Sequence, residues 1–288
     1  MTPAMNLDLN WLATKFVDLT GLGTLNNGGF KTVLSAHHAQ HGEVVLKLLQ
    51  PGQELETIRR ELAAVNQVNS PRVPRVLDVG TIDIANLGTS VWFLEQRVSG
   101  STIRDILSTG PLPYSDCLKM ALHICDVLSA AELARIVHRD VKPENIMRDN
   151  HGNYWLLDFG IARHLTLDSL TATAQPFGKC TWGYAPPEQI RNLKPEIDSR
   201  ADLFALGVTI FECYTGGNPF IVNARDALER IKRVEQLPLP RLTVNQPTGH
   251  DFADLVATLT NKRRHHRPQT ASEALTWIRD ICQRAGVV

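Results

Sequence analysis

The apolar and polar positions of the first hundred residues predict short strands around one helix. A β-rich apolar run at 44–49 follows a polar turn at 37–42. After Pro51 and Gly52 the period changes, and the apolar residues of 55–65 recur at spacings of three and four, as on one face of an amphipathic helix. A second strand-like stretch at 91–94 leads into a joint near Val98. We therefore expect a β-rich region with one main helix.

Helical periodicity dominates from residue 101 onward. It is clearest at 118–128, 255–259 and 274–278. One small β element interrupts it, because the apolar pairs at 146–147 and 154–157 flank a polar turn and end at Asp158. The pattern predicts an α+β chain in which a β-rich part, residues 1–98, precedes a mainly helical part, residues 99–288.

Composition and charge narrow the class of protein. The chain has 288 residues, 43% of them hydrophobic and 21% charged, which is ordinary for a folded globular protein. Thirty basic and thirty acidic residues balance, which argues against nucleic acid or an anionic membrane as the main partner. The five cysteines are scattered without a Cys-x-x-Cys pair, the start lacks a secretory signal, and the apolar stretch 203–211 is too short to span a bilayer. We expect a cytoplasmic protein.

The strongest chemical signal is the motif His138-Arg139-Asp140-Val141-Lys142-Pro143-Glu144-Asn145, followed by Asp158-Phe159-Gly160. These residues at these spacings resemble the catalytic core of the protein kinases. The resemblance extends from about residue 22 to residue 279, nearly the whole chain. It implies a bilobal protein-kinase-like fold, one catalytic domain over 1–288 with an N-lobe at 1–98 and a C-lobe at 99–288, and an activation segment at 158–188.

The resemblance also implies roles for the motif residues, and the chemistry explains their types. Asp140 is expected to act as the base, or positioning group, for the attacking hydroxyl. Lys142 is expected to neutralise charge on the transferred phosphoryl group, and a Lys here resembles the Ser/Thr-directed branch of the family. Asn145 and Asp158 offer the hard oxygen ligands that Mg²⁺ prefers. ATP and Mg²⁺ are the implied cofactors.

Further matches point to the nucleotide. Lys47 resembles the lysine that holds the α- and β-phosphates, and Glu61 is the expected acidic partner. The segment 25–33 resembles a glycine-rich phosphate loop in which Gly28 and Val33 keep the family pattern, whereas Asn26 and Lys31 replace two glycines. Val45 and Met147 are expected against adenine, and the segment 95–98 is the expected hinge.

The segment 180–188 resembles the end of an activation segment, with Cys180 and Pro186 departing from the family pattern. Thr181 is expected near Asp140 and Lys142. Glu188 is expected to pair with Arg267 as an architectural contact. Arg139 precedes the catalytic aspartate, which suggests regulation by autophosphorylation at Thr171 or Thr173.

We therefore predict ATP- and Mg²⁺-dependent transfer of the γ-phosphoryl group to Ser or Thr hydroxyls of a protein substrate. Two alternatives remain open at this point. The altered phosphate loop is compatible with a nucleotide-binding scaffold that transfers little phosphate. A kinase-fold enzyme acting on a small molecule is the other alternative, and it is disfavoured by Lys142 and the segment 181–188.

Overall fold

A computed structural model describes Met5 and residues 7–28, 31–159 and 181–287. The described residues fall into two compact units. The first contains residues up to Gln67 together with Pro74–Val98, and the second contains Val68–Val73 and the described residues from Ser99 onward.

The first unit is an antiparallel five-stranded sheet with two helices. Its elements are α1 (Leu9–Lys15), β1 (Leu19–Asn27), β2 (Lys31–His38), β3 (Gly42–Leu49), α2 (Leu55–Val65), β4 (Val76–Ile84) and β5 (Gly88–Gln96). The strand order is β1-β2-β3-β5-β4. The apolar run at 44–49 lies in β3, the stretch 91–94 lies in β5, and the predicted helix at 55–65 is α2, so these three predictions are confirmed.

The two faces of this sheet differ because side chains alternate along each strand. Leu34, Leu46 and Leu94 are cross-strand neighbours on one face, and they are buried in a core that also includes Leu12 of α1. On the other face, Lys47 lies opposite Val33 of β2 and opposite Phe93 of β5. The sheet thus seals one face with leucines and carries a buried charge on the other.

The second unit is mainly helical. Its strands are β6 (Gly100–Thr102), β7 (Ile146–Asp149) and β8 (Tyr154–Leu156), which form a small antiparallel sheet in that order. Its helices are α3 (Ile103–Leu107), α4 (Tyr114–Leu133), α5 (Pro187–Ile190), α6 (Ser199–Thr215), α7 (Ala227–Gln236), α8 (Gly249–Leu259) and α9 (Ala271–Ala285). Short 3-10 turns occur at Pro143–Asn145, Lys194–Glu196 and Arg264–His266.

Helix α6 is the centre of this unit. The side chain of Asp198 caps its start by accepting from the Arg200 N–H, and Gly216 ends it at a φ of 82° in the left-handed region. Nearly every residue between the two caps is buried, as expected for a helix that is apolar on all sides. A Cβ at Gly207 would lie 2.8 Å from the Leu259 Cβ, so glycine permits the close approach of α8.

The predicted hairpin at 146–157 is confirmed as β7 and β8. Its turn is organised by Asp149, whose carboxylate accepts hydrogen bonds from the N–H groups of His151 and Asn153. The chain leaves β8 directly toward Asp158. Among the described residues, no helix combines the length and the apolar character needed to cross a membrane.

Candidate functional site

Side chains of the loop 140–145 form one hydrogen-bonded cluster with Thr181. The Thr181 hydroxyl donates to Asp140 Oδ1 at 2.8 Å. Lys142 Nζ lies 2.9 Å from Asp140 Oδ2 and donates to Thr181 Oγ1 at 3.0 Å. Asn145 Nδ2 donates to Asp140 Oδ2 at 3.0 Å and to the Asp140 carbonyl at 2.8 Å. The structure therefore brings together three of the predicted catalytic residues and the threonine expected beside them.

Helix α6 supports the backbone of this loop through Asp202. One carboxylate oxygen accepts from the His138 N–H and the other from the Arg139 N–H, both at 2.7 Å. These bonds hold Arg139 at a φ of 63°, a conformation uncommon for a side-chain-bearing residue. Burial raises the pKa of Asp202 to about 7, although the two backbone hydrogen bonds oppose that shift. The carboxyl group has thus lost its contact with water and instead holds the backbone of the loop through two hydrogen bonds.

His138 connects the loop to the end of the hairpin. Its Nδ1 accepts from the Asp140 N–H at 3.2 Å, and its Nε2 lies 2.9 Å from the Leu157 carbonyl. An imidazole that accepts at Nδ1 and donates at Nε2 is the neutral Nε2–H tautomer. The Phe159 ring packs edge-on against this imidazole at 4.6 Å between centroids. His138 therefore contacts the residues directly before and after Asp158, namely Leu157 and Phe159.

Asp158 follows β8 at a φ of 58°. The Leu157 N–H donates to the Asn145 carbonyl at 2.8 Å, which holds the chain before Asp158 beside the chain of Asn145. Gly160 and residues 161–180 lie outside the described residues, and with them the predicted phosphorylation sites Thr171 and Thr173 and the departure at Cys180.

In the first unit, Lys47 forms a buried ion pair with Glu95 of β5. Its ammonium group also lies 5.5 Å from the centroid of the Phe93 ring. Glu95 was expected only as the first residue of the hinge, so this partner is a finding of the structure. The pair of Lys47 with Glu61 of α2 stays a prediction.

The other predicted nucleotide contacts lie in three places. Val33 and Val45 are half-buried on the sheet face that carries Lys47. Gly28 sits at the turn after β1, where its N–H donates to the Lys31 carbonyl at 3.1 Å. Met147 lies in β7 of the second unit, between Thr102 of β6 and Trp155 of β8. Their contacts with adenine or phosphate stay predictions.

The predicted architectural pair is present. Arg267 Nη1 donates to Glu188 Oε1 at 2.6 Å and Nη2 donates to Glu188 Oε2 at 3.1 Å, which is a bidentate geometry. The guanidinium group is fully buried. This pair fixes α5, the helix that follows Thr181, to the chain before α9.

Sequence reasoning missed two charged residues of these sites. Glu95 stands at the end of the apolar run 91–94, and an acid in a strand that is otherwise buried requires a partner, which was the available signal. Arg104 in α3 contacts Glu144, Glu212 and Tyr184. No local pattern marks Arg104, because its partners are 40, 108 and 80 residues away in the sequence.

These arrangements have clear chemical capacities. A carboxylate that already accepts a hydrogen bond from an alcohol, with an ammonium group beside it, can orient a hydroxyl and take its proton. An amide oxygen and a carboxylate on adjoining segments are hard ligands for a divalent cation. A buried ammonium on a sheet face can bind an anion such as a phosphate group.

Comparison with known proteins agrees with these capacities. The family model described as the protein kinase domain matches residues 19–278. A probable serine/threonine-protein kinase of Corynebacterium efficiens is 33% identical over 263 residues, covering 87% of this chain and 39% of the relative. The serine/threonine-protein kinase PknB of Mycobacterium leprae is 31% identical over 257 residues, covering 86% of this chain and 40% of the relative.

A probable serine/threonine-protein kinase of Clostridium perfringens is 31% identical over 218 residues, which are 75% of this chain and 30% of that relative. The matched part of the chain thus spans 30% to 40% of the length of these curated relatives.

Proposed function

The chain belongs to the protein kinase domain family, and on that premise we propose that it transfers the γ-phosphoryl group of ATP to Ser or Thr hydroxyls of proteins. The observation that carries the proposal is the hydrogen bond of 2.8 Å from the Thr181 hydroxyl to the Asp140 carboxylate. This carboxylate is already placed to receive an alcohol. The serine/threonine-protein kinases among the relatives support the same acceptor class.

Asp140 is the group that meets the attacking hydroxyl in this proposal. It accepts the hydrogen bond of the substrate alcohol and aligns its oxygen. It takes the proton as the new bond from that oxygen to the γ-phosphorus forms and the bond from the γ-phosphorus to the bridging oxygen breaks, which releases ADP. Asn145 fixes the carboxylate through the bond at 3.0 Å. Lys142, at 2.9 Å from Asp140, supplies positive charge where negative charge develops.

The residues assigned to the metal fit Mg²⁺. The amide Nδ2 of Asn145 donates to Asp140, so the amide oxygen of Asn145 is the atom that can bind a metal ion. Asp158 adds a carboxylate from the adjoining segment, so both ligands are hard oxygens. Mg²⁺ bound by these residues supplies neutralisation of phosphate charge.

The first unit binds the nucleotide in this proposal. Lys47 binds phosphate oxygens, with Glu95 and the predicted Glu61 as acidic partners that keep it charged. Gly28 and the phosphate loop cover the phosphates through backbone N–H groups, while Val33, Val45 and Met147 contact adenine. The whole chain then acts as one catalytic domain, with an N-lobe at 1–98, a C-lobe at 99–288 and an activation segment at 158–188.

A protein substrate with a Ser or Thr acceptor is the partner, and autophosphorylation at Thr171 or Thr173 orders the activation segment through Arg139. The cysteines Cys117, Cys125, Cys213 and Cys282 are buried free thiols. Such thiols support a reducing, cytoplasmic location.

The test is a phosphotransfer assay with radiolabelled ATP and Mg²⁺, comparing the wild type with Asp140→Ala. We expect labelled phosphoserine or phosphothreonine in a general protein acceptor, reduced roughly 100-fold or more in the variant. Asn153→Ala, which alters a hairpin turn outside the loop, serves as the control and should retain activity. Equal background in the wild type and Asp140→Ala would mean a scaffold, and label in small alcohols but not in protein would mean a small-molecule kinase.

A further inference from the structure

Arg104 joins three separate segments of the second unit. Its Nε donates to Glu144 Oε1 at 2.8 Å, its Nη1 to Glu212 Oε1 at 2.8 Å and its Nη2 to the Tyr184 hydroxyl at 2.7 Å. Tyr184 in turn donates to Glu212 Oε2. All the nitrogens of one guanidinium group are therefore engaged, each with a different residue.

The charges of this cluster require the arginine. Glu144 and Glu212 bring two carboxylates, and Glu212 is buried within α6. Tyr184 adds no charge, because burial and the neighbouring Glu212 raise its pKa above the ordinary value. Burial opposes the charge of Arg104, but its hydrogen bond to Glu212 and the negative charge of Glu212 raise the pKa of Arg104 overall. Without Arg104, the two carboxylates that now bind one guanidinium group would be left as neighbouring negative charges; we call the place between Glu144 and Glu212 the acidic recess.

The recess adjoins the residues proposed to act on the hydroxyl substrate. Glu144 belongs to the same 3-10 turn as Asn145, which binds Asp140. Tyr184 is three residues after Thr181, and its N–H donates to the Thr181 carbonyl at 3.2 Å. A peptide whose hydroxyl reaches Asp140 has neighbouring side chains within reach of this recess.

The recess is also open to solvent. The side chain of Arg104 is 37% exposed and that of Glu144 is 44% exposed. A ligand can therefore approach Glu144 from solvent, whereas the side chain of Glu212 is almost fully buried. The position that a basic side chain of a peptide would take is already filled by a guanidinium group of the chain itself.

We infer that Arg104 is a specificity-determining residue, which fills the acidic recess of Glu144 and Glu212 and so removes any selection for a basic residue next to the phosphorylated Ser or Thr. This inference rests on the proposed kinase function. It goes beyond that function by naming a substrate class, namely peptides without an obligatory arginine or lysine near the acceptor. It also assigns the reason to one residue.

The test is a positional-scanning library of Ser/Thr peptides, in which each position around the acceptor is fixed in turn as one amino acid. We expect the wild type to select arginine by less than about twofold at every position. Arg104→Ala should gain selection for arginine of about tenfold at one or two positions, the factor associated with one charge-assisted hydrogen bond. The triple variant Arg104→Ala, Glu144→Gln, Glu212→Gln should lose that gain.

Controls separate this effect from a loss of charge or of folding. Arg279→Ala removes an exposed arginine that pairs with Asp126 in a different part of the unit, and it should leave the library profile unchanged. Arg104→Gln keeps a hydrogen-bonding side chain without the charge, and it should gain the same selection if Arg104→Ala does not fold. A folded Arg104 variant with the wild-type profile would overturn the inference.

A binding measurement distinguishes failure of the inference from failure of the proposed function. Millimolar methylguanidinium should raise the thermal midpoint of Arg104→Ala by a few degrees and leave the wild type and the triple variant unchanged. If the wild type transfers no phosphate but methylguanidinium still raises the thermal midpoint of Arg104→Ala, the recess binds a guanidinium group. The proposed kinase function, and with it the proposed effect on peptide selection, is then wrong. If the shift is absent in folded Arg104→Ala, the recess does not bind a guanidinium and the inference is wrong even for an active kinase.

Discussion

The two units each bury an ion pair between a basic residue and a glutamate, Lys47 with Glu95 in the first and Arg267 with Glu188 in the second. Arg267 also donates to the carbonyls of Arg200 at 2.9 Å and Asn261 at 2.8 Å, so its planar fork is held on several sides. Lys47 presents a compact ammonium on a sheet face, beside the Phe93 ring.

A buried pair of a basic residue with a glutamate can serve architecture in one place and ligand binding in another. A guanidinium group that binds a carboxylate through two nitrogens and also donates to backbone carbonyls is fixed in one orientation. An ammonium is a point charge whose donors rotate, so it can exchange or share a carboxylate with an incoming phosphate oxygen. We therefore expect damage to the arginine pair to appear as lost stability and damage to the lysine pair to appear as lost nucleotide affinity.

The largest effect should come from Arg267→Ala. Removing one partner of a buried pair leaves the other charge buried alone, and the free energy of unfolding should fall by about 3–5 kcal/mol. Chemical denaturation measures it. Arg264→Ala, in the neighbouring 3-10 turn, breaks a partly exposed contact with Asp198 and should cost less than about 1 kcal/mol. Equal losses in the two variants would contradict an architectural role specific to Arg267.

The next effect concerns Glu95. Glu95→Gln removes the counter-ion of Lys47, and we expect the affinity for ATP to weaken about tenfold, in line with one hydrogen bond to a charged group. Calorimetric titration with ATP measures it. Glu43→Gln alters an exposed glutamate of β3, the strand that carries Lys47, and should leave the affinity unchanged.

The same titration on Glu61→Gln tests the predicted helix partner. Weakening in both Glu95→Gln and Glu61→Gln would mean that two acids share Lys47. Wild-type affinity in Glu95→Gln, with weakening in Glu61→Gln, would show that the pair with Glu95 has no part in phosphate binding.

The stability of the region around the arginine pair should depend on pH through Lys262. Burial, and then the charge of Arg267, lower the pKa of Lys262 to about 7. Between pH 7 and about 10 the unfolded chain therefore binds more protons at this lysine than the folded chain does, so its contribution to the free energy of unfolding rises with pH. Relative to Lys262→Met, the wild type should gain stability as the pH is raised from 7 to 10.

Denaturation curves at several pH values measure this difference. Lys232→Met, at an exposed lysine of α7, is the matched control and should run parallel to the wild type. Parallel curves for the wild type and Lys262→Met would mean that Lys262 titrates alike in both states.

The smallest effect should come from the phosphate loop. Asn26→Gly with Lys31→Gly restores the glycines of the family pattern, but the loop is proposed to act through backbone N–H groups that both sequences possess. The KM for ATP should change by less than about threefold. A larger change would mean that the side chains of Asn26 or Lys31 take part in phosphate binding. The phosphate-binding role of the first unit would then depend on the loop as well as on Lys47.

Much of this protein was readable from its sequence. The helix at 55–65, the hairpin that ends at Asp158 and the pair of Glu188 with Arg267 were all predicted and are present. The first two follow from apolar periods of 3.6 and 2, which are local. The third followed from resemblance to the kinases, in which a catalytic motif must have fixed support.

Periodicity and motif spacing are encoded within short stretches of chain, so the fold class, the family and the residue types of the proposed reaction could be predicted from the sequence. The contact of Glu95 with Lys47, and those of Arg104 with Glu144 and Glu212, become visible only in the folded chain. Each contact joins groups that are close in space but far apart in the sequence. Lys47 and Glu95 are separated by 48 residues, and Arg104 and Glu212 by 108 residues. Such contacts leave no periodic trace along the chain.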